Sequence, residues 1–459
     1  MNRRTFLQAL MLTATGGLTS LPAWADDDED DNKTSTNVRF SLANTGITNK
    51  HVVIVGGGMA GATAAKYLRL WGGAGVSVTL VEPNPIYVSN IMSGLVLAAS
   101  RTLSSLNYSY TNLINNYGIS LKQASVVSFD NTRKIVTLSD NSSLSYDRLI
   151  FATGIQLDDA YGLTATDYAG NYPHAWQSGP QTSKLASLIA NMGNNDTFVM
   201  TIPAKPYRCP PGPYERACLV ADYLKRTGKT GTKVIVLDEN TAIAGSDLSA
   251  PYNAIQAEPH SFHQAFTQIH TNITYHSGVT GISVTKSSAN DGSGSISCSA
   301  GNFSAKVINI IPPHRAPSVM TNLCNGGRWA PVNVLNYEST VANMTGIHVI
   351  GDASQTTQPK AGHIANQEAK VCADAIIRAF QNQGVDPAPV TNSACYSPIT
   401  NTTASWLTGV YQYDATSKTM RLWANGAFTD KAIESADISS KNFSKMSTWF
   451  NTLMGDSFS

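Results

Sequence analysis

The sequence predicts an α/β protein with two Rossmann-like domains, the first of them discontinuous in the chain, followed by a small α+β domain at the C-terminus. A β-branched run at residues 51–55 leads into a glycine-rich turn and then a helical pattern. Two more buried-strand patterns lie at residues 197–202 and 233–238. From residue 387 the composition shifts to Pro, Asn, Ser and Thr, before two short strand patterns and a last helix.

The N-terminus carries the pattern of an export signal. Arg3-Arg4 precede an uncharged apolar run through Leu21, and Ala23-Trp24-Ala25 is a small-x-small cleavage site. The run is shorter than the about 20 residues of a membrane-spanning helix. We therefore expect residues 1–25 to be a twin-arginine signal peptide, removed on export to the periplasm, rather than a membrane anchor. Residues 26–48 begin with an unbroken acidic run and are predicted to be a disordered leader.

Composition argues against several classes of function. The formal net charge is +1, and it falls to −1 without the signal peptide, because Arg3 and Arg4 leave with no acidic residue. We expect neither nucleic acid nor an anionic membrane as a partner. No stretch of residues 387–459 is long and apolar enough to insert into a bilayer. The six cysteines form no CxxC pair and no cluster with histidine, so no metal site is expected.

The strongest motif is the run Gly56-Gly57-Gly58-Met59-Ala60-Gly61, directly after the first strand pattern. Gly56 permits a tight turn, Gly58 lets the backbone approach a pyrophosphate, and Gly61 allows the helix to pack closely on the strand. Glu82 ends the next strand pattern, 21 residues after Gly61, at the spacing of an acid that binds ribose hydroxyls. The sequence therefore predicts a dinucleotide-binding domain over residues 49–160, rather than a glycine turn in some other α/β sheet.

Two later segments are similar to motifs of flavoproteins with two dinucleotide-binding domains. Thr153-Gly154 follows a strand pattern, as in the Ala-Thr-Gly turn of that superfamily. Gly351-Asp352 matches its late Gly-Asp motif, whose aspartate bonds the ribityl chain of FAD. The similarity implies an FAD cofactor and a return of residues 305–386 to the first domain. Lys360, near the start of the next helix, is a further candidate cofactor-binding residue, because its positive charge would stabilise reduced flavin.

The second domain, predicted over residues 161–304, has lost a nucleotide site. Its first strand pattern runs into the proline-rich segment 203–213 instead of a glycine-rich loop. Prolines remove the backbone N–H groups that would cradle a pyrophosphate, so we do not expect NAD(P)H to bind. Residues 387–459 are assigned to the C-terminal domain.

Cys209 lies within this proline-rich segment. It follows Arg208 and precedes a helix that is predicted to begin near Tyr214. The cation and the helix N-terminus both predict a lowered pKa and a reactive thiolate, so Cys209 is the candidate catalytic residue. The alternative is a buried structural cysteine, but the rigid proline frame favours the reactive role.

The run from Cys209 to Ala217, Cys-Pro-Pro-Gly-Pro-Tyr-Glu-Arg-Ala, resembles the flavoprotein subunit of flavocytochrome c sulfide dehydrogenase, a relative of sulfide:quinone oxidoreductases. Further matching stretches lie in all three domains, at residues 173–176, 311–316, 351–353 and 394–397. The resemblance implies an FAD-dependent oxidoreductase that oxidises sulfide or another reduced sulfur compound at two cysteines beside the flavin. Electrons would pass to a c-type cytochrome, either a subunit or a soluble protein.

The sequence departs from the family pattern at two positions. The second cysteine would follow Gly-Asp-Ala, where this chain has Ser354, and a serine hydroxyl cannot form a disulfide. The cysteine that attaches FAD covalently would stand at Asn90, so we expect FAD to be bound without a covalent link. No other cysteine could be assigned as the missing partner of Cys209. Two alternatives therefore stay open: an FAD oxidoreductase of changed substrate, and a non-catalytic flavin-binding partner or sulfur carrier.

Overall fold

A computed structural model describes residues 44–459, so the predicted signal peptide and nearly all of the acidic leader lie outside the described residues. The largest sheet has eight strands. In order across the sheet they are β22 (Ser354–Gln355), β19 (Ala330–Asn333), β20 (Glu338–Ser339), β21 (Ile347–Val349), β9 (Arg148–Phe151), β1 (Lys50–Val55), β2 (Val76–Val81) and β5 (Ser120–Lys122).

The centre of this sheet is parallel and buried on both faces. Strand β1 pairs with β2 on one side and β9 on the other, and Val52, Val53 and Ile54 are fully buried, which explains their continuous apolar run. Helix α1 (Met59–Gly72) joins β1 to β2 and packs on helix α8 (Gly362–Phe380). Strand β21 lies parallel to β9, so a late segment returns to the first domain.

The second sheet contains four parallel strands. They are, in order, β13 (Ile273–His276), β12 (Lys233–Asp238), β11 (Thr197–Ile202) and β17 (Val307–Asn309), and helix α6 (Gly212–Arg226) connects β11 to β12. Because β17 pairs with β11, the boundary predicted at residue 305 is too early. The chain crosses between the two sheets at the antiparallel pair β10 (Gln156–Leu157) and β18 (His314–Arg315).

The C-terminal region is an antiparallel sheet followed by a helix. Its strands are β23 (Val390–Pro398), β24 (Ala404–Asp414), β25 (Thr419–Ala424), β26 (Ala427–Thr429) and β27 (Ile433–Glu434). Helix α9 (Ser440–Phe458) is capped by Ser439, whose hydroxyl accepts a hydrogen bond from the Asn442 backbone N–H. Its buried side chains Met446, Phe450 and Met454 belong to the same apolar cluster as helix α1, so this region packs on the first domain.

Smaller elements complete the α/β fold predicted from the sequence. The remaining strands are β3 (Ile86–Val88), β4 (Asn107–Ser109), β6 (Val126–Asp130), β7 (Ile135–Leu138), β8 (Ser143–Ser145), β14 (Ser283–Lys286), β15 (Gly294–Cys298) and β16 (Gly301–Ala305). The remaining α-helices are α2 (Ser93–Leu97), α3 (Thr111–Tyr117), α4 (Ala165–Ala169), α5 (Pro180–Ala190) and α7 (Pro259–Gln264). Between residues 44 and 459, no helix has the length and apolar character needed to cross a membrane.

Candidate functional site

A single large cavity brings together segments from all three regions of the chain. Its volume is about 940 Å³, which is at the upper end of the range for small-ligand sites. The predicted site residues that line it are Gly56, Gly58, Glu82, Thr153, Gly154, Cys209, Gly351 and Asp352. A ligand in this cavity would therefore contact both the glycine turn after β1 and the thiol of the second domain.

The glycine turn has the geometry that the motif predicts. Gly56 has a φ of +100°, and its backbone N–H donates to the Val81 carbonyl across to β2. A Cβ at Gly61, which lies behind the cavity wall, would overlap the Gly56 carbonyl oxygen, so only glycine lets helix α1 approach this closely. Gly58 precedes the helix without a side-chain cap, which leaves the N-terminal turn facing the cavity.

Glu82 is fixed at the end of β2. One carboxylate oxygen accepts from the Gly57 backbone N–H at 2.8 Å, and the other accepts from Asn84 through its backbone N–H at 2.9 Å and its amide at 2.8 Å. These bonds hold the carboxylate against the glycine turn, where it lines the cavity. The position fits the ribose-binding role that the spacing predicts.

Asp352 has a carboxylate oxygen that lacks a hydrogen-bond partner in the described part of the chain. Its Oδ1 atom is buried and has no hydrogen-bond partner among the described residues, although the residue lines the cavity. Burial raises the pKa of this carboxyl group, while Arg208 and Lys360 act to lower it. Because buried oxygens are almost always bonded, a hydroxyl-bearing ligand such as a ribityl chain fits here.

The role predicted for Lys360 in stabilising charge on the flavin stays a prediction. Lys360 does not line this cavity, since its ammonium group donates to the carbonyls of Asp352, at 2.8 Å, and Ser354, at 2.7 Å. The ammonium also lies 3.8 Å from the centre of the Trp329 ring. Burial lowers the pKa of Lys360 to about 8. The ammonium group of Lys360 is therefore held next to Asp352, which does line the cavity.

Cys209 lines the cavity in a constrained conformation. Its φ is +60°, a region that non-glycine residues rarely adopt and that occurs often at active sites. Its backbone N–H donates to the Lys360 carbonyl at 2.7 Å, and its carbonyl accepts from the Gly212 N–H at 2.9 Å. The thiol is therefore held in one place, in front of helix α6.

The lowered pKa predicted for Cys209 is wrong. Burial, and after it the negative charge of Glu215, raise the pKa of this thiol to about 12 against the opposing effect of Arg208. The sequence showed the adjacent cation but neither the depth of burial nor the facing carboxylate.

Two glutamates and an arginine surround the thiol side of the cavity. Burial raises the pKa of Glu215 to about 8 and that of Glu258 to about 7, so both carboxyl groups hold protons close to neutral pH. Glu258 accepts hydrogen bonds from the hydroxyls of Ser397 and Ser405. Arg216 donates to the carbonyls of residues 174 and 175 and lies 4.7 Å from the Trp176 ring centre.

Ser354, which stands where the family pattern has the second cysteine, does not line the cavity. Its hydroxyl donates to the Gly351 carbonyl at 2.8 Å and to Glu368 at 3.4 Å, and the residue is buried. Replacing the hydroxyl by a thiol at this position would place the sulfur in that network, and not beside Cys209.

The second sheet keeps the parallel strands that the sequence predicts. Asp238, which ends β12, accepts hydrogen bonds from the hydroxyls of Tyr214, at 2.8 Å, and Tyr275, at 2.7 Å. The following Glu239 accepts from the Ala204 backbone N–H at 2.9 Å. The acidic groups that would bind a ribose are thus bonded within the chain.

Comparisons with known proteins agree with this geometry. Residues 182–312 match the family model described as the central region of the sulfide dehydrogenase [flavocytochrome c] flavoprotein chain, and residues 387–458 match the flavocytochrome c sulphide dehydrogenase flavin-binding model. Residues 50–172 match the pyridine nucleotide-disulphide oxidoreductase model. The segment 182–312 includes the second sheet, and the segment 387–458 includes the C-terminal sheet.

Individual relatives cover different parts of the chain. A 47-residue segment is 51% identical to the sulfide dehydrogenase [flavocytochrome c] flavoprotein chain of Chlorobaculum thiosulfatiphilum, spanning 10% of this chain and 96% of that sequence. Ferroptosis suppressor protein 1 of Taeniopygia guttata is 35% identical over 22% of this chain and 26% of its own length. The matches to the first three relatives span only about a quarter of their length. The sulfide:quinone oxidoreductase structure from Aquifex aeolicus superposes with a TM-score of 0.67 at 17% identity, covering 89% of this chain and 91% of that one.

The fold and the cavity define a flavoprotein of the pyridine nucleotide-disulphide oxidoreductase class, with FAD as its cofactor. Within that class, the chain belongs to the family of flavoprotein chains of flavocytochrome c sulfide dehydrogenase. The resemblance inferred from the sequence is confirmed at this level.

The first prediction concerns the flavin linkage. Asn90 lines the cavity where the family pattern has an attaching cysteine, and its side-chain oxygen accepts from the Ser178 N–H at 2.8 Å. We expect acid or heat denaturation to release FAD quantitatively into the supernatant. Yellow colour that stays with the precipitated polypeptide would contradict this prediction.

The second prediction concerns the reductant. Because the acidic side chains at the end of β12 are bonded within the chain and the loop before α6 is rich in proline, NADH and NADPH should not reduce the flavin. The measurement is the flavin absorbance after anaerobic addition of either nucleotide, with dithionite as the positive control. Bleaching by NADH as fast as by dithionite would show that a nucleotide site exists.

Sequence reasoning gave no role to Glu215 or Glu258. Glu215 stands six residues after Cys209, in the first turn of the predicted helix, and that spacing could have indicated it. Glu258 had no local signal, because its burial depends on Ser397 and Ser405 from the C-terminal sheet.

Proposed function

We propose that this chain oxidises sulfide, or another small reduced sulfur compound, and passes the electrons through FAD to a c-type cytochrome. The observation that carries the proposal is Cys209, a constrained thiol that lines the same cavity as the glycine turn and Asp352. Family membership supports the substrate class, and the name of the family, flavocytochrome c sulfide dehydrogenase, supports a cytochrome acceptor.

The surrounding residues suit a reaction with a sulfur nucleophile. Bound FAD supplies a two-electron acceptor. Gly56, Gly58 and Glu82 would hold its nucleotide half, and Asp352 its ribityl hydroxyls. Glu215, with a pKa of about 8, can hold or release a proton close to the Cys209 thiol at neutral pH. With a raised pKa, Cys209 stays a neutral thiol until a base takes its proton.

One observation favours a second candidate. The family pattern has a second cysteine where this chain has the buried, hydrogen-bonded Ser354, so the usual disulfide with Cys209 cannot form here. The chain could therefore be an FAD oxidoreductase of a different substrate, with Cys209 acting alone. The two candidates differ in their response to sulfide.

The third prediction tests the proposal directly. Anaerobic sulfide should reduce the flavin of the wild-type protein, and Cys209→Ala should slow this by about 10³-fold or more, as for removal of a catalytic nucleophile. Cys298→Ala is the matched control, since Cys298 lies in β15 outside the cavity lining. Equal rates in all three proteins would remove the chemical basis of the proposal. A wild-type flavin that sulfide leaves oxidised, but dithionite reduces, would favour the changed substrate.

We further propose export to the periplasm by the twin-arginine route, supported by Arg3-Arg4 and the cleavage pattern. Changing both arginines to lysine should leave the protein in the cytoplasmic fraction with its signal peptide attached. Periplasmic recovery of that variant would refute the proposed route.

A further inference from the structure

A second thiol lines the cavity that contains Cys209. Of the six cysteines, all free, only Cys209 and Cys395 belong to its wall, as far as residues 44–459 show. Cys218, Cys324 and Cys372 are buried within the apolar core clusters. Six cysteines give fifteen different pairs, and in only one of these pairs do both residues line this cavity in the described part of the chain.

The position of Cys395 follows from the register of β23. Side chains alternate along a strand, so Cys395 shares a face with Ser393 and Ser397. The Ser393 hydroxyl bonds His363 Nε2 at 2.8 Å, and Ser397 bonds Glu258 at 2.5 Å. Cys395 thus lies between the first turn of helix α8 and the buried carboxyl group of Glu258.

Cys209 also lies close to the start of helix α8. Its backbone N–H bonds the Lys360 carbonyl, two residues ahead of helix α8, and it stands just before helix α6. Helix α6 packs against β23. Both cysteines are therefore anchored around the start of helix α8.

The electrostatic interaction between the two thiols agrees with this arrangement. Burial raises the pKa of Cys395, and negative charge on Cys209 raises it further. Glu215 acts in the same direction on both thiols. Because the charge of Cys209 acts on the Cys395 thiol, the two sulfurs share one local environment.

We propose that Cys395 is the partner thiol of Cys209, and that the two form a reversible disulfide across the cavity. The pair would supply the second sulfur that Ser354 does not. Its role in sulfide oxidation rests on the proposed function, whereas the disulfide itself can be tested without sulfide.

The chemistry balances in two steps. Oxidation of the two thiols releases two protons and two electrons, and the electrons go to a two-electron oxidant such as oxidised flavin or molecular oxygen. Hydrosulfide then attacks one sulfur of the disulfide, so that a new S–S bond forms as the old one breaks. The products are a persulfide on one cysteine and a thiolate on the other.

The experiment maps thiols in the purified flavoprotein with its flavin fully oxidised. Free thiols are alkylated under denaturing, non-reducing conditions, and the digest is analysed by mass spectrometry. We expect one cross-linked species joining the peptides of Cys209 and Cys395, and its loss on reduction. Cys209→Ser or Cys395→Ser should free the remaining thiol for alkylation, whereas the control Cys298→Ser should leave the link intact. Flavin content identifies variants that failed to fold.

Two results would overturn the pairing: full alkylation of both cysteines in the oxidised wild-type protein, or a link from Cys209 to a different cysteine. A disulfide forms only between cysteines with Cα atoms closer than about 7 Å, so the cross-link directly reports their approach. In a second arm, sulfide should convert the linked pair to a persulfide peptide, one sulfur heavier. A link that resists sulfide would leave the pairing intact and refute the proposed sulfide chemistry, whereas sulfide-dependent flavin reduction without any link would refute only the pairing.

Discussion

Gly61→Val should abolish flavin retention. Any Cβ at Gly61 overlaps the carbonyl oxygen of Gly56, which is backbone and cannot rotate away, so helix α1 must move off strand β1. That movement displaces the N-terminal turn that faces the pyrophosphate position. We expect protein that purifies without FAD and is destabilised by about 3 kcal/mol or more.

The measurements are the ratio of flavin to protein absorbance and urea denaturation with added FAD. Gly455→Ala is the matched control, because this glycine also lies in a helix and a Cβ there meets no atom within 4 Å. It should keep its flavin and gain about 0.5–1 kcal/mol. A fully flavinated Gly61→Val protein would show that the close helix–strand approach is not needed for binding.

Glu258→Gln should stabilise the protein at alkaline pH and flatten its pH dependence. The pKa of Glu258 is raised from 4.5 to about 7 by burial, so the folded state holds this proton more tightly than the unfolded chain. The stability it contributes is fully present below about pH 4.5 and is lost as pH rises through 7. A shift of this size corresponds to about 3 kcal/mol.

Urea denaturation at pH 5 and pH 8, with saturating FAD, measures this effect. Glutamine keeps an oxygen for Ser397 and offers an amide to the Ser405 hydroxyl, so the variant should fold and differ from wild type chiefly at pH 8. Asp437→Asn, at an exposed position, serves as the control and should keep the wild-type pH dependence. An unchanged pH dependence in Glu258→Gln would show that this carboxyl group does not titrate on unfolding.

The flavin side of the site could be predicted because its signals are local. The turn at Gly56 and the close approach at Gly61 depend on neighbouring backbone, and Glu82 is positioned by the two strands that flank one helix. Spacing along the chain therefore fixed the residues that line this end of the cavity. The prolines before α6 are equally local, and the absence of a nucleotide site that they indicate stays a prediction.

The thiol side could not be predicted in the same way. The sequence shows Arg208 beside Cys209 and suggested a lowered pKa for the thiol. Burial and the charge of Glu215 instead raise that pKa. The sequence indicated that Lys360 lies near the start of helix α8, but not that its ammonium group donates to the carbonyls of Asp352 and Ser354. It gave Cys395 no role, since nothing local connects residue 395 with residue 209.

The sequence by itself thus determined the α/β class, the family, the FAD cofactor and the glycine turn, because each depends on residue type at short spacing. Only the tertiary structure decided which titratable groups face one another. Burial and electrostatic interaction depend on distances between segments far apart in the chain. For that reason the protonation of Cys209, the buried carboxyl group of Glu258 and the shared cavity wall of Cys209 and Cys395 emerge only when the C-terminal sheet packs beside helix α6.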